Sequence, residues 1–314
     1  MIKKITIAAP VYNELINIDK FVSELFDTIK PLSSIYDFRV LLINDGSDDG
    51  TEKILEKLVK KHGPFIKVVN LTRNYGHSAA CAACVRYAEG DALILMDSDL
   101  QDDPAAIPFF LEKWEQGYQV VYATRTTRQE NIFARFLFKS FYRFFNLVSA
   151  VKIPLDAGNF SLIDEQVYTI IRDSYEKNAY FPGARALVGY RQIGIPVARR
   201  PRQDGRSRVG YSGLFNLARN AIFSFSFLPI RIFNFLGGLA LLLCFLIIIY
   251  ALYYRLFTDL AVPAWASSII TISFFGGINL LGIGIVGEYV ARIYDQVRRF
   301  PGYYVREIIE YEKE

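Results

Sequence analysis

Asp97 and Asp99 are the side chains with the clearest capacity for chemistry. They follow a short apolar run, residues 92–96, and one residue separates them. Two carboxylates at the end of a buried strand repel each other and are costly to desolvate unless a cation lies between them. Hard oxygen ligands suit Mg²⁺ or Mn²⁺, and such sites keep positions open for phosphate oxygens. The pair therefore predicts a divalent metal site facing a phosphorylated substrate, although the same triplet is also typical of a capped turn before the helix at Pro104.

Two further polar motifs also follow apolar runs. Pro10-Val-Tyr-Asn-Glu14 follows the first run and Asn44-Asp-Gly-Ser-Asp-Asp-Gly-Thr51 follows the second. No GxGxxG sequence follows the first run, and no P-loop with its Lys-Ser/Thr is present, which removes the main support for dinucleotide oxidoreduction and for ordinary NTP hydrolysis.

Alternating strands and helices are needed to bring these motifs together. Apolar runs bounded by turn residues alternate with amphipathic stretches of helical period. This alternation predicts an α/β domain with right-handed crossovers and a mostly parallel sheet covered on both faces. Ligands of such sheets bind at the carboxyl ends of the strands, where all three motifs would meet. The predicted strands are residues 5–10, 40–44, 67–71, 92–96 and 120–123.

His77, Cys81 and Cys84 have the spacing of one helix side, which raises the question of a metal or redox site. A structural zinc site needs a fourth ligand, and none is nearby in the sequence. We favour the alternative that this run of small residues lets a helix pack closely on a sheet, and we assign no metal there.

Two long apolar segments lie near the C-terminal end. Residues 232–254 and 265–287 contain no charged side chain, and as helices each would be ~34 Å long, enough to cross a hydrocarbon core. The short connection between them contains Asp259 and Pro263. We therefore predict a transmembrane hairpin rather than two buried helices of a soluble core, which usually show a polar stripe.

Arginine placement predicts the orientation of this hairpin. Arginines precede the first segment and follow the second, whereas the connection holds only Arg255. The positive-inside rule then puts both termini and the large N-terminal domain in the cytoplasm of a multi-pass protein of the cell membrane. The N-terminus is unlike a secretory signal, and three cysteines are an odd, small number, as expected where disulfides are not kept. The flanking arginines are Arg219, Arg231, Arg292, Arg298, Arg299 and Arg306.

The overall composition excludes several classes. The 314 residues carry a net charge of +4, which argues against a polybasic nucleic-acid-binding protein. With 22% charged and 15% aromatic residues the chain is expected to fold rather than to be disordered.

The three motifs together resemble those of the family-2, GT-A-fold glycosyltransferases. Arg73-Asn-Tyr-Gly76, and Gly287-Glu-Tyr-Val-Ala-Arg-Ile-Tyr294 at the end of the second apolar segment, are similar to the polyprenyl-phosphate branch. That branch includes dolichol-phosphate mannose synthases, bactoprenol glucosyltransferases and undecaprenyl-phosphate aminoarabinose transferases. The resemblance covers nearly the whole chain in order, and it implies a GT-A-like catalytic domain that uses Mg²⁺ or Mn²⁺.

The resemblance also implies roles for particular residues. Asn44 stands where many relatives have Asp, a mild departure if Asp45 is the main base contact. Catalytic roles are implied for Asp156, Asp99 and Arg125. The implied nucleotide-binding residues are Pro10, Tyr12, Glu14 and Asp45, the metal ligands are Asp97, Asp99 and Gln101, and the residues near the donor or acceptor phosphates are Arg125, Arg128, Arg202, Ser207 and Arg208. Arg135, in the basic helix described below, is a further candidate for the acceptor phosphate. Solvated charges, or a patch that binds anionic lipids, are the alternatives for these arginines.

Residues 131–150 place basic side chains every four residues among many phenylalanines, which predicts a basic, aromatic helix in the membrane interface. Ordinary packing between the catalytic domain and the hairpin would give the same pattern. We predict a catalytic domain at residues 1–210, a juxtamembrane helix at 211–230, the hairpin at 231–288 and a cytoplasmic tail at 289–314.

These expectations describe an inverting, metal-dependent transfer of a hexose from a nucleotide sugar to a polyprenyl phosphate such as undecaprenyl phosphate. UDP-glucose is the preferred donor, with GDP-mannose and a UDP-aminosugar as alternatives. A processive polysaccharide synthase is disfavoured because the Gln-x-x-Arg-Trp motif is absent. A nucleotide-binding membrane scaffold without catalysis is the alternative from another class. Glycines in the second apolar segment permit close helix approach, and a homo-oligomer is possible.

Overall fold

The structure is a computed structural model that divides the chain into two compact units. The first comprises residues 1–146, 151–215 and 301–314, and the second comprises residues 147–150 and 216–300. The structure describes residues 2–125, 157–174, 181–198, 200, 228–257, 265–298 and 301–311.

The first unit is built on a mixed sheet. Its described residues form eight strands in the order β7-β5-β6-β4-β1-β2-β3-β8. The strands are β1 (Lys3–Val11), β2 (Tyr36–Asn44), β3 (Ile66–Leu71), β4 (Ala92–Leu95), β5 (Val120–Arg125), β6 (Ala157–Asp164), β7 (Gln192–Val197) and β8 (Val305–Ile309).

Most neighbouring strands are parallel, as the sequence predicts. β1 runs parallel to β2 and β4, β2 to β3, and β5 to β7, whereas β6 and β8 pair antiparallel with their neighbours. The five predicted strands correspond to β1–β5. The mostly parallel α/β fold class is thereby confirmed, while β6, β7 and β8 are additions that the apolar pattern did not predict.

Helices cover the sheet and bury one face each. The side chains of Ile18, Phe21, Val22, Leu25 and Ile29 recur at helical spacing and are all at most 3% exposed. The helices of this unit are α1 (Ile18–Ile29), α2 (Thr51–His62), α3 (His77–Tyr87), α4 (Ile107–Glu115), α5 (Glu165–Ser174) and α6 (Phe181–Leu187).

The α3 helix packs through small side chains. Ala80, Ala83, Cys81 and Cys84 are at most 1% exposed and belong to the same apolar cluster as Ala8, Leu41 and other residues of the sheet. Burial raises the pKa of both thiols well above the usual value, so they are uncharged at neutral pH. The packing interpretation of this run therefore agrees with the structure.

The second unit contains two long apolar helices, α7 (Leu228–Phe257) and α8 (Trp265–Val297). The stretches Ile230–Tyr250 and Phe274–Tyr294 are long and apolar enough to cross a membrane, and only 6% of each is buried within the protein. Gly282 of α8 lies against the ring of Phe233 of α7, where a Cβ atom would come within 2.0 Å of the ring. A water-soluble unit would bury these apolar faces, so their exposure indicates an apolar environment.

Candidate active site

The carboxyl ends of β1, β2 and β4 bring the three polar motifs together. The Asp45 N–H donates to the Val11 carbonyl at 2.8 Å, which ties the ends of β2 and β1 together. The Ser98 hydroxyl donates to the Pro10 carbonyl at 2.8 Å, which joins the segment after β4 to the segment after β1. The predicted nucleotide-binding and metal-binding motifs thus form one edge.

The segment after β1 forms a tight turn into α1. Asn13 has a positive φ of 54°, a conformation that asparagine tolerates better than most residues. Glu14 is 5% exposed and its carboxylate accepts the Asn17 Nδ2–H at 2.7 Å. The Glu14 carbonyl accepts the Asn17 and Ile18 N–H groups, so this residue starts the helix. Pro10 is buried and Tyr12 is half-buried beside it.

Asp45 holds the segment after β3. Asp45 is only 2% exposed, and the two oxygens of its carboxylate accept the Tyr75 and Gly76 N–H groups at 2.8 and 2.9 Å. Burial raises the pKa of Asp45, although these two hydrogen bonds oppose the shift. Its contact with a nucleoside base stays a prediction.

Gly46 brings the loop after β2 against the segment after β3. Its φ is +67°, and a Cβ atom at this position would lie 2.4 Å from the carbonyl carbon of Arg73. Only glycine combines that backbone conformation with that approach. The Arg73 guanidinium stacks on the Tyr75 ring at 4.5 Å.

The segment after β4 carries the predicted metal ligands. Asp99 Oδ1 accepts the Gln101 N–H at 3.2 Å, and Asp102 Oδ2 accepts the Asp97 N–H at 3.2 Å. Leu100, between them, has a φ of 61° and is 5% exposed. A bulky residue in this region is strained, and such strain is held only where the surrounding structure fixes it.

A cavity opens beside this segment. Asp97, Gln101 and Asp102 line one side, and Thr124 of β5 and Asn159 of β6 lie on the other. Asp102 and Asn159 were not predicted as site residues. Asp102 could have been noted from its place in the acidic run, whereas Asn159 comes from a strand that the sequence did not predict.

His77 is a further residue that the sequence analysis did not assign to the site. Its Nε2 lies 3.7 Å from Asp97 Oδ1 and 2.6 Å from Asn159 Nδ2. It begins α3 directly after Gly76, at the same sheet edge as the motifs. Its position after the end of a strand could have indicated a site residue. The sequence analysis instead grouped His77 with Cys81 and Cys84 and assigned that run to helix packing.

The donor set fits a divalent cation that completes its shell from a substrate. Among the described residues there is no group of three or more His, Cys, Asp or Glu side chains that would hold a metal alone. Mg²⁺ is commonly bound through one or two carboxylates plus substrate phosphates. Asp97 and Gln101, which carry carboxylate and amide oxygens, line the cavity, whereas Asp99, two residues after Asp97, is not among the lining residues.

Several predicted residues lie outside the part of the chain that the structure describes. Arg125 ends β5, but its side chain is not among the described ones. The predicted helices at 131–150 and 211–230 fall largely or wholly in the same undescribed ranges. The other residues concerned are Arg128, Arg135, Asp156, Arg202, Ser207 and Arg208.

Comparison with known proteins identifies the family to which this chain is similar. The model of the family "Glycosyl transferase family 2" matches residues 6–175. An uncharacterized glycosyltransferase from Synechocystis is 36% identical over 306 residues, covering 97% of this chain and 95% of the relative. The SfII prophage-derived bactoprenol glucosyl transferase of Shigella flexneri is 34% identical over 306 residues, covering 96% and 97%.

Among solved structures, the mannosyltransferase PcManGT from Pyrobaculum calidifontis, in complex with GDP-Man and Mn²⁺, aligns with a TM-score of 0.49 and 17% identity over 70% of this chain and 61% of that one. The family match and the near-full-length relatives show that the chain belongs to glycosyl transferase family 2. The resemblance inferred from the motifs is thereby confirmed.

Proposed function

We propose that the protein transfers a hexose from a nucleotide sugar, preferably UDP-glucose, to a polyprenyl phosphate at a membrane surface. The observation that carries this proposal is the cavity lined by Asp97, Gln101 and Asp102, next to the Asp45 loop, in a chain that also exposes two long apolar helices. The near-full-length relative named bactoprenol glucosyl transferase supports the choice of a lipid phosphate as acceptor.

Charge explains why this edge suits the reaction. A nucleotide-sugar pyrophosphate leaves poorly until its developing negative charge is neutralised, and a divalent cation on Asp97, Asp99 and Gln101 would act there as a Lewis acid. The backbone around Asp45 would hold the nucleoside, so that the sugar points toward the cavity. His77, whose Nε2 lies 3.7 Å from Asp97 Oδ1, would orient that carboxylate.

The acceptor phosphate is already anionic at neutral pH, so it needs positioning and shielding more than a strong base. Arginines provide forked donors for phosphate oxygens, and Arg125 and Arg128 are the proposed ligands. Asp156 is the proposed residue facing the sugar. We propose in-line displacement at the anomeric carbon with inversion, which a product of retained configuration would exclude.

The exposed apolar helices support a membrane location for this chemistry. We propose that α7 and α8 cross the membrane with both chain ends in the cytoplasm, because six arginines flank the outer ends of the pair and only Arg255 lies toward its connection. A membrane-impermeant thiol reagent added to intact cells should then label Thr258→Cys and leave Lys313→Cys unlabelled. The reverse pattern would invert the topology.

The decisive experiment is sugar transfer by the purified full chain in lipid or detergent. Undecaprenyl phosphate would be offered with UDP-glucose, GDP-mannose or UDP-N-acetylglucosamine, each with Mg²⁺, with Mn²⁺ and with EDTA. We expect a glycolipid from one donor that disappears with EDTA and with Asp99→Asn. Binding of UDP without transfer from any donor would instead favour a non-catalytic nucleotide-binding scaffold.

A further inference from the structure

The last described strand, β8, belongs to the sheet of the first unit. It follows α8 in the chain and pairs antiparallel with β3, with Glu307 opposite Asn70. Glu307 Oε1 accepts the Asn70 Nδ2–H at 3.1 Å, across 237 residues of sequence. It also accepts the Arg306 Nε–H and Nη2–H groups at 3.2 and 2.9 Å. A residue of the C-terminal segment thus contacts the carboxyl end of β3.

Asn70 also contacts β2, through Asn44. Asn70 and Asn44 are 0% and 1% exposed, and Asn44 Nδ2 donates to Asn70 Oδ1 at 2.9 Å. Asn44 Oδ1 in turn accepts the Ser47 N–H at 3.1 Å. Each of the two amides donates from its NH₂ group on the side of β8 and accepts at its carbonyl on the side of the Asp45 loop. The hydrogen bonds therefore form a chain, here called the relay, in which all donors point the same way. Buried amides of this kind are costly to leave without partners.

A second path starts at Tyr304, the residue before β8, and reaches Asp45. The Tyr304 carbonyl accepts the Thr72 N–H at 2.9 Å, and the Tyr304 ring lies 6.4 Å from the Tyr75 ring. Tyr75 is the residue whose N–H binds Asp45 Oδ1. Both sides of the Gly46 contact are therefore tied to the C-terminal segment.

We propose that β8 positions the nucleotide-binding edge, and that Glu307 is a positioning residue acting through the Glu307–Asn70–Asn44 relay. The relay fixes the backbone at Ser47 and hence the loop that carries Asp45. This inference rests on the proposed function only in naming a nucleotide as the ligand. The proposal also gives a reason for asparagine at position 44, because a carboxylate there could not donate to Asn70.

The first test compares two matched substitutions in the full chain. Glu307→Val removes the acceptor and keeps a strand-forming side chain. Glu310→Val removes a carboxylate four residues from the end of the chain, whose partner is Lys67 at 2.5 Å, away from the loop. Amide hydrogen exchange would be measured for peptides covering residues 44–51, together with UDP binding, the KM for the sugar donor and kcat.

We expect Glu307→Val to speed exchange at residues 44–51 and to raise the Kd for UDP and the donor KM about fivefold, the effect of losing one hydrogen bond, with kcat changed less. Glu310→Val should leave all four values unchanged. Equal exchange and equal Kd in Glu307→Val and wild type, with the fold intact by circular dichroism, would overturn the proposal.

The second test reverses the relay. Asn44→Asp keeps the acceptor for Ser47 but forces Asn70 to turn, so that the Asn70 carbonyl faces the Glu307 carboxylate. Glu307→Gln alone keeps an acceptor and should behave as wild type. In combination with Asn44→Asp it offers an NH₂ group to the turned amide, so the double variant should bind UDP more tightly and exchange more slowly than Asn44→Asp.

A double variant no better than Asn44→Asp alone would also overturn the proposal. Failure of the wild-type protein to bind UDP would instead count against the proposed function. The exchange measurements need no nucleotide, so the relay is still tested in that case.

Discussion

The loops that follow β2 and β4 are both acidic, yet their carboxylates serve different purposes. In residues 44–51 the Asp45 oxygens are taken by backbone N–H groups, and the residue is 2% exposed. In residues 97–102 the side chains of Asp97 and Asp102 line an open cavity. The first loop is held together by its carboxylate, whereas the second places two carboxylates at a cavity, where we propose that they face a ligand.

This difference separates two consequences of losing a carboxylate. A carboxylate saturated by backbone donors acts mainly on stability, because its removal leaves buried N–H groups without partners. A carboxylate that holds a cation at a reaction site acts mainly on rate, because the cation stabilises the negative charge that develops during reaction. Four substitutions test this comparison, beginning with the largest expected effect.

Asp97→Asn should abolish most activity with little effect on folding. We expect a loss of about 100-fold or more in kcat for sugar transfer, because a neutral amide is a poor ligand for a divalent cation. The thermal unfolding midpoint should change little. The control is Asp37→Asn, near the start of β2, where the carboxylate pairs with Arg39 at 3.1 Å. Activity in Asp97→Asn close to wild type would mean that the cavity is not the reaction site.

Gly46→Ala should unfold or strongly loosen the first loop. A Cβ atom at Gly46 would lie within 2.7 Å of three backbone atoms of Arg73 and Asn74, and the positive φ adds strain. We expect a loss of about 3 kcal/mol in the free energy of unfolding, from overpacking and backbone strain together.

Gly50→Ala is the matched control for that change. Gly50 also has a positive φ, +96°, but the Leu15 side chain, at 3.6 Å, is its nearest neighbour. Denaturant unfolding of the two variants separates crowding from strain. Equal losses in both would show that the loops do not need their close approach.

Asp45→Asn should lower the free energy of unfolding by about 1–2 kcal/mol, because one of the two part-buried backbone N–H groups would face an NH₂ group. Nucleotide affinity should fall with it, since the loop that Asp45 fixes would loosen. The measurement is chemical denaturation beside UDP titration. Unchanged stability with a lost affinity would contradict the structural role and favour direct base contact instead.

The parts of the fold that could be predicted from the sequence are those encoded by local hydrophobic patterns. The apolar runs that became β1 to β5, and the periodic face of α1, are signals contained within about ten residues. β8 is different because its five residues, Val-Arg-Glu-Ile-Ile, are exposed or half-buried, and they form a strand by pairing with β3. Such pairing depends on a partner far away in the sequence.

The same distinction applies to the site. Asp97, Asp99 and Asp45 were found because each follows a strand in a motif. The roles of His77 and Asn70 depend on contacts with Asn159 and Glu307, which come from later, unpredicted strands. Sequence motifs were therefore enough to locate the edge of the sheet that carries the site. The contacts that support these motifs could be found only from the folded structure.

The smallest expected effect concerns Asp49, in the same loop as Asp45 but with the opposite electrostatic response. Burial raises its pKa, but hydrogen bonds from Thr51 and Leu15 outweigh burial and hold the pKa below its usual value. Its stabilising contribution is therefore present above the unfolded-state pKa and is lost as pH falls through the lower folded-state pKa. The raised pKa of Asp45 gives the opposite sign, so that its contribution to stability is greatest in acid and declines as pH rises.

The difference in unfolding midpoint between wild type and Asp49→Asn should accordingly shrink as the pH falls from 6 to below about 4. A difference that grew on acidification would mean that burial, and not hydrogen bonding, controls this carboxylate as it does Asp45.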